Sequence, residues 1–297
     1  MSDPTKGVLA IVLTCALWGL SGIYFHELRD VPPIEVLAHR VVWSAVFFGI
    51  WFAWKGRLGE VPHILRDRRN FAILALSSVL VSINWLAYIW AVTSGYATEA
   101  SFGYYIFPLA AVAIGSFAFG ERFSIAGKIA ICLSGAAVLG LAIGQGTLPL
   151  IALFLASTFA IYSTVKKLVV VGPAMSVAVE VLLLVPIAVG FLAVVHLGGG
   201  GVFGRSAWES WLLPLSVMNT AVPLILFSYA SRRLSLATLG ILQYVNPTLQ
   251  FGVAVLYLAE PFGTGHLIAF GLIWAGVAVY SVDLMRQERA ARNAATT

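Results

Sequence analysis

The sequence predicts an all-α integral membrane protein with ten transmembrane helices, arranged as two inverted five-helix repeats around a central cavity. Of the 297 residues, 60% are hydrophobic and 10% are charged, whereas soluble domains are about 45–50% apolar and about 25% charged. The hydrophobic residues form long continuous runs, and a matched proline–glutamate spacing occurs in both halves of the chain. These observations place most of the apolar surface in lipid and indicate an internal duplication.

Ten hydrophobic runs are long enough to cross a bilayer, which takes about 20 mostly apolar residues for about 30 Å of hydrocarbon. The runs do not alternate with period two, so they favour helices over a closed barrel. The predicted spans are 7–25, 33–54, 70–91, 97–118, 125–143, 147–165, 173–196, 210–230, 236–257 and 264–285. They divide the chain into a first repeat (7–143), a second, inverted repeat (147–285) and a cytoplasmic tail (286–297).

The distribution of lysine and arginine predicts the orientation of the chain. With a cytoplasmic N-terminus, 15 of the 18 Lys and Arg residues lie in cytoplasmic segments, while Arg29 and Arg205 lie outside and Arg40 lies within a span. Cytoplasmic loops carry such an excess, so both termini are predicted to lie in the cytoplasm of a bacterial-type inner membrane. Membrane insertion also explains the net charge of +5. No basic run is long enough to follow a nucleic acid.

The internal repeat is visible in two prolines and two glutamates. Pro108 precedes Glu121 by 13 residues, and Pro247 precedes Glu260 by 13 residues. Because each half contains an odd number of spans, consecutive repeats insert in opposite orientations. Inverted repeats are typical of secondary transporters, whose substrate site lies near the midplane between the halves. Both glutamates fall at helix ends, where we favour a role in anchoring loops over one in gating.

Several motifs carry a family resemblance that covers nearly the whole chain. They are residues 38–44 (AHRVVWS), 84–85 (NW), 88–92 (YIWAV), 100–109 (ASFGYYIFPL), 221–224 (AVPL), Phe227, 239–244 (LGILQY) and Pro247. In these residues the chain resembles the drug/metabolite transporter superfamily, in its ten-helix, two-repeat, EamA/RarD-like branch. It is also similar to bacterial amino-acid exporters of the YddG type. Phe107 departs from the RarD pattern, which has a polar asparagine there, and makes the predicted cavity wall more apolar.

This resemblance implies export of amino acids or similar metabolites through a cavity lined by both halves. The residues predicted to line it are polar, aromatic or ionisable residues within the spans. They are Trp18, His39, Arg40, Asn84, Trp85, Tyr88, Ser101, Tyr104, Tyr105, Gln243, Tyr244 and Asn246. Buried tyrosine and tryptophan need partners for their polar atoms, and a cavity provides them; packing within the bundle is the alternative for each.

Ionisable residues within a span are costly and are candidates for function. Arg40 is predicted to bind a substrate carboxylate, or to donate a structural hydrogen bond to backbone carbonyls, or to snorkel toward the outer interface. His39 is either a proton carrier or a buried neutral histidine bonded to a neighbouring helix. Glu180, the repeat mate of Arg40, is predicted to lie at a helix interface without pairing with Arg40, and a role in proton coupling stays open.

Three prolines are predicted hinges or kinks: Pro108, Pro223 and Pro247. A proline inside a helix removes a hydrogen bond and frees the carbonyl four residues earlier. Such breaks are tolerated in a membrane where protein or a watered cavity satisfies the freed groups. The spans that contain them are therefore expected to line the cavity, although a simple packing kink is the alternative.

The sequence contains no Walker A motif, no His-Glu-x-x-His and no convincing nucleophile motif. We therefore predict that the chain is not an enzyme and needs no cofactor or metal; Cys15 and Cys132 are too few for a metal site.

The predicted function is facilitated export or exchange of amino acids, including aromatic or other bulky apolar ones, or related metabolites. Drug or toxic-metabolite efflux is the alternative, followed by a channel or a membrane enzyme. The predicted partners are a small-molecule substrate and lipid. Gly140-x-x-x-Gly144 is compatible with a homodimer, although a monomer suffices.

Overall fold

The structure is a computed structural model that describes residues 3–119, 124–145 and 148–296, and this part of the chain is helical with no β-strand. The helices are α1 (Asp3–Gly19), α2 (Ser21–Glu27), α3 (Pro33–Trp54), α4 (Glu60–Arg66), α5 (Arg68–Thr93), α6 (Ala97–Phe119), α7 (Ile125–Gln145), α8 (Leu150–Lys166), α9 (Pro173–Leu197), α10 (Ala207–Leu212), α11 (Ala221–Ser231), α12 (Leu236–Gln243), α13 (Val245–Gly252) and α14 (Thr264–Thr296). A 3₁₀ segment (Leu213–Asn219) joins α10 to α11, and a π-helical turn (Val253–Tyr257) follows α13. Glu121, at the predicted end of the fourth span, lies outside the described residues.

Eight segments of the described chain are long and apolar enough to cross a membrane, which confirms an integral membrane fold. They are Pro4–Glu27, Pro33–Trp54, Arg68–Thr93, Ile125–Ile143, Pro173–Leu197, Ala207–Ser231, Thr238–Tyr257 and Thr264–Gln287. The 17-residue helix α8 is apolar but shorter. Helical residues occupy each of the ten predicted segments, while the count of ten membrane crossings stays a prediction.

Three of the predicted spans are interrupted. The first breaks at Leu20, between α1 and α2; the eighth breaks at Thr220; and the ninth breaks at Tyr244, between α12 and α13. Pro223 and Pro247 each occupy the third position of the helix that follows its break, where proline costs no helical hydrogen bond. By contrast, α6 continues through Pro108 without interruption.

Helix packing follows a regular scheme. Helix α8, in the second predicted repeat, packs on α5 and α6 of the first repeat. Helix α1, in the first repeat, packs in the corresponding way on α11 and α13 of the second. Helices α3 and α9 form one direct pair, and α7 and α14 form another. Each of these contacts joins one predicted repeat to the other, so the interface between the halves runs through the centre of the molecule.

Two carboxylates cap helices that are remote in sequence. Glu260 accepts hydrogen bonds from the backbone N–H groups of Ala97 and Thr98, both at 2.6 Å. Glu99 accepts from the N–H of Ile151 at 2.9 Å. The first N–H groups of a helix have no partner within the helix, so these side chains satisfy the starts of α6 and α8.

Gly103 allows α6 to approach α8, and we expect Gly103→Ala to lower the free energy of unfolding by about 1–3 kcal/mol through overpacking. A Cβ atom there would lie 2.8 Å from the carbonyl oxygen of Ala152 and 3.0 Å from the Cβ of Leu155. Unfolding in mixed detergent micelles measures the effect. Gly135→Ala is the matched control, because no atom lies within 4 Å of a Cβ at that position. Equal stability of the two variants would contradict the prediction.

Candidate functional site

A cavity of about 420 Å³ lies between the two predicted repeats, within the range of about 300–1,000 Å³ typical of small-molecule sites. Its walls come from α1, α3, α5 and α6 of the first half and from α8, α9, α11, α12 and α13 of the second. The residues predicted from sequence that line it are Trp18, Arg40, Trp85, Tyr88, Tyr104, Pro108, Gln243, Tyr244, Asn246 and Pro247.

Arg40 is the buried cation of this cavity, with 5% of the residue exposed. Its Nε donates to Thr220 Oγ1 at 2.5 Å, and its Nη2 donates to the carbonyl oxygen of Asn219 at 3.0 Å. The guanidinium also lies 4.1 Å from the ring centroid of Trp85, a favourable cation–π contact. The backbone-carbonyl contact that was one predicted role of Arg40 is therefore present.

The helix break at Thr220 explains why an arginine fits here. Asn219 ends the 3₁₀ segment, and its carbonyl accepts from Trp18 Nε1 at 3.2 Å as well as from Arg40. A carbonyl freed by a break in a span must find such donors, because lipid offers none. Among the described residues, Arg40 Nη1 makes no hydrogen bond, so this cavity-lining side chain keeps donors for a ligand.

The wall between the two halves is aromatic. Tyr88 and Tyr104 have ring centroids 5.5 Å apart, and Tyr104 lies 5.8 Å from Phe159, both edge to face. Phe107 meets the same Phe159 at 4.7 Å. Phe159 is not among the residues predicted to line the cavity, and it is the counterpart of Trp18 when the two halves of the chain are aligned. Since both residues line the cavity, the repeat match was the signal that could have placed it there.

A second charged group borders the cavity at Lys166, one residue beyond the predicted sixth span (147–165). Lys166 Nζ lies 2.7 Å from Glu180 Oε1 and also donates to Ser176 Oγ. Glu180 accepts from Ser77 Oγ at 2.5 Å and from Tyr162 O–H at 3.2 Å. The Glu180 side chain is 1% exposed, and that of Lys166 is 19% exposed. Glu180 therefore lies at a helix interface and does not pair with Arg40.

Asn84 lies behind the cavity wall and does not line it. Its Nδ2 donates to the carbonyl oxygen of Leu155 at 3.0 Å and to Thr158 Oγ1 at 2.9 Å. Its Oδ1 accepts from the hydroxyl of Tyr104 at 3.0 Å. Asn84 thus joins α5 to α8 and orients a tyrosine that does line the cavity.

Three further residues predicted to line the cavity, and one predicted hinge, also lie outside its lining. Ser101 donates to the carbonyl of Thr98 at 2.7 Å, and Tyr105 bonds Thr248 Oγ1 at 2.6 Å. His39 lies against Phe203, with ring centroids 5.1 Å apart. Ser101 and Tyr105 thus bond to helical residues, whereas His39 packs on the loop between α9 and α10. Pro223 is buried at the start of α11, where its carbonyl accepts from Thr14 at 3.2 Å.

The comparisons with known proteins agree with this architecture. Residues 5–143 match the EamA-like transporter family. The chain is 38% identical to protein RarD of Streptomyces exfoliatus over 277 residues, which is 93% of this chain and 88% of that protein. The chain belongs to the EamA-like transporter family. The similarity to RarD extends beyond the first repeat, so it covers both walls of the cavity.

Other relatives of this EamA-like chain are also full-length matches. The uncharacterized transporter YojE of Bacillus subtilis is 33% identical over 98% of this chain and 99% of its own. A chloramphenicol-sensitive protein RarD of Pseudomonas aeruginosa is 31% identical over 95% of each chain. One solved crystal structure superposes with a TM-score of 0.63 at 19% identity, over 96% of this chain and 99% of its own, and this likeness shows the fold alone. The protein is thus a multi-pass transporter of the bacterial inner-membrane type.

Proposed function

We propose that this EamA-like protein exports amino acids, including aromatic and other bulky apolar ones, or related small metabolites. The mechanism proposed is alternating access, as facilitated transport or exchange. The observation that carries the proposal is a cavity that combines one buried guanidinium with an aromatic wall. A guanidinium binds planar carboxylates, and aromatic side chains accommodate a bulky apolar group.

Unpaired polar atoms on residues that line the cavity are candidate acceptors for the ammonium group of an amino acid. Tyr244 O–H, Asn246 Oδ1 and Gln250 Oε1 are buried and have no hydrogen-bond partner among the described residues, and all three residues line the cavity. Leaving such groups unsatisfied costs about 1–3 kcal/mol each. An ammonium has three donors and would satisfy acceptors that the chain leaves open.

The packing scheme supports two inverted five-helix repeats. Exchanging each predicted span with the one five positions away relates the contacts in pairs. The contact of span four with span six (α6 with α8) becomes that of span nine with span one (α13 with α1). The contact of span three with span six (α5 with α8) becomes that of span eight with span one (α11 with α1). The α3–α9 and α7–α14 pairs map onto themselves. Such an exchange is the relation expected of a duplicated transporter whose substrate site lies between its halves.

The shape of the cavity favours an inward-facing state. Arg40 and Thr220 are 5% and 1% exposed, whereas Pro173 is exposed and the Lys166 side chain is 19% exposed. The distribution of Lys and Arg places Lys166 on the cytoplasmic side, together with both termini. In this orientation a substrate enters from the cytoplasm and reaches Arg40 at the closed end.

Counterflow in proteoliposomes tests the proposal. Vesicles preloaded with unlabelled phenylalanine, tryptophan or leucine should accumulate the labelled amino acid faster than protein-free vesicles, and the uptake should saturate. Saturation with counterflow distinguishes a carrier from a channel. A protein that catalyses no exchange of any amino acid across a broad panel would refute amino acids as the substrate class.

Drug efflux is the second candidate, and two observations favour it. One relative is named chloramphenicol-sensitive protein RarD, and Phe107 and Phe159 make part of the wall apolar. This alternative predicts that labelled chloramphenicol exchanges in the same vesicles while amino acids do not. Expressing cells would then accumulate less drug than cells that express the Arg40→Met variant.

A further inference from the structure

Three metal-ligating side chains converge outside the cavity, between α3 and α9. Glu35 and His39 are four residues apart and share one face of α3, and His196 lies in the last turn of α9. One ligand atom from each residue lies within 4.8 Å of the other two. The sequence predicts no metal site; 157 residues separate His39 from His196, and only the packing of α3 on α9 brings them together.

The two buried members of this cluster carry unpaired atoms. Glu35 Oε2 and His39 Nε2 are buried and have no hydrogen-bond partner among the described residues. The second carboxylate oxygen, Oε1, accepts from the N–H of Val202 at 2.8 Å and lies 4.0 Å from His39 Nε2. Glu35 is 0% exposed and His39 is 5% exposed. These two unpaired atoms are therefore shielded from solvent and have no partner within the described residues.

His196 completes the set in the tautomer that a metal requires. Its Nδ1 lies 2.8 Å from the carbonyl of Leu192. A carbonyl only accepts, so Nδ1 carries the proton and Nε2 keeps a lone pair. Metal-bound histidines commonly donate their other N–H to a carbonyl in this way. A Cβ at Gly201 would lie 2.5 Å from the ring, so the chain leaves room there for the imidazole.

We propose that Glu35, His39 and His196 form a binding site for a divalent transition metal of the Zn²⁺ class. Two imidazoles and a carboxylate are typical zinc ligands, with a fourth position left for water. Tetrahedral Zn²⁺ would bring the ligand atoms to about 3.3 Å from one another, a modest contraction that side-chain rotation supplies. Because His196 is exposed, the ion reaches the site from water, and binding would tie α3 to α9.

Metal binding is tested on the full chain, purified without a polyhistidine tag, and does not depend on the transported substrate. Equilibrium dialysis against Zn²⁺, with Co²⁺ as a spectroscopic probe, compares wild type with His196→Gln and Glu35→Gln. His63→Gln is the control, because His63 is exposed in α4, away from the cluster. Since His196 is also exposed, its replacement leaves the fold intact even if the buried Glu35 variant misfolds.

The expected result is one saturable Zn²⁺ site per chain in wild type and in His63→Gln, with the d–d absorption of tetrahedral Co²⁺. Affinity should fall more than about a hundredfold in His196→Gln, since even outer-shell partners contribute about 10–100-fold. Absence of saturable binding in wild type, or equal affinity in His196→Gln, would overturn the proposal.

Discussion

Replacement of Arg40 by lysine is expected to raise the KM for amino-acid exchange about tenfold to a hundredfold. Lysine keeps the charge but lacks the planar fork that reaches Thr220 and Asn219 and stacks on Trp85. A hydrogen bond that involves a charged group contributes about 1.5–3 kcal/mol, and each 1.4 kcal/mol is about a factor of ten. Initial rates of counterflow over a range of substrate concentrations measure the change.

Matched ligands separate a binding role of Arg40 from a structural one. Wild type should be inhibited more strongly by phenylalanine than by phenethylamine, which lacks the carboxylate. In Arg40→Met the two compounds should inhibit alike, because the group that distinguishes them has lost its partner. The control is Arg57→Lys, which alters an exposed pair with Glu60. A variant at Arg40 that still prefers the carboxylate would show that Arg40 serves only the helix break at Thr220.

Glu180→Gln is expected to lower the free energy of unfolding by about 2–3 kcal/mol. Breaking a buried ion pair costs about 3–5 kcal/mol because the remaining charge is left uncompensated, and the 19% exposure of the Lys166 side chain reduces that cost. The substitution keeps one acceptor oxygen, in place of the two that accept from Ser77 and from Tyr162, and removes the counter-charge. Unfolding in mixed micelles, with the folded fraction followed by tryptophan fluorescence, measures the loss.

A double variant shows whether the charge of Lys166 causes that loss. Adding Lys166→Met to Glu180→Gln removes the uncompensated cation, so most of the lost stability should return. Glu60→Gln removes one member of an exposed pair and should leave stability unchanged. If the double variant is no more stable than Glu180→Gln alone, the carboxylate acts through its hydrogen bonds and not through the ion pair.

The helical segments could be predicted from the sequence because continuous apolar length is a strong signal. Their interruptions could not. Leu20, Thr220 and Tyr244 lie inside hydrophobic runs, and the break at Thr220 is stabilised by donors from other helices that reach the Asn219 carbonyl. Those partners come from α1 and α3, which local sequence around residue 220 does not reveal.

The cavity residues were predicted by type but not by helix face. His39–Arg40, Asn84–Trp85 and Tyr104–Tyr105 are adjacent pairs, and in each pair one member lines the cavity. Neighbours on a helix point about 100° apart, so both members of a pair rarely face one cavity. These helices are apolar on most sides, so the hydrophobic pattern of the sequence does not show which face of each helix points to the cavity. Gln243 and Tyr244 both line the cavity because the helix breaks there.

The carboxylate caps bear on the order in which the chain is completed during synthesis. Ala97 begins α6, yet the Glu260 side chain that satisfies its N–H lies 163 residues later. The first repeat therefore enters the membrane with an unfinished helix start, which the segment after the ninth predicted span completes from the other repeat. Two halves produced as separate polypeptides would each contain a helix start without its carboxylate cap. The first half would complete its structure only after binding the second.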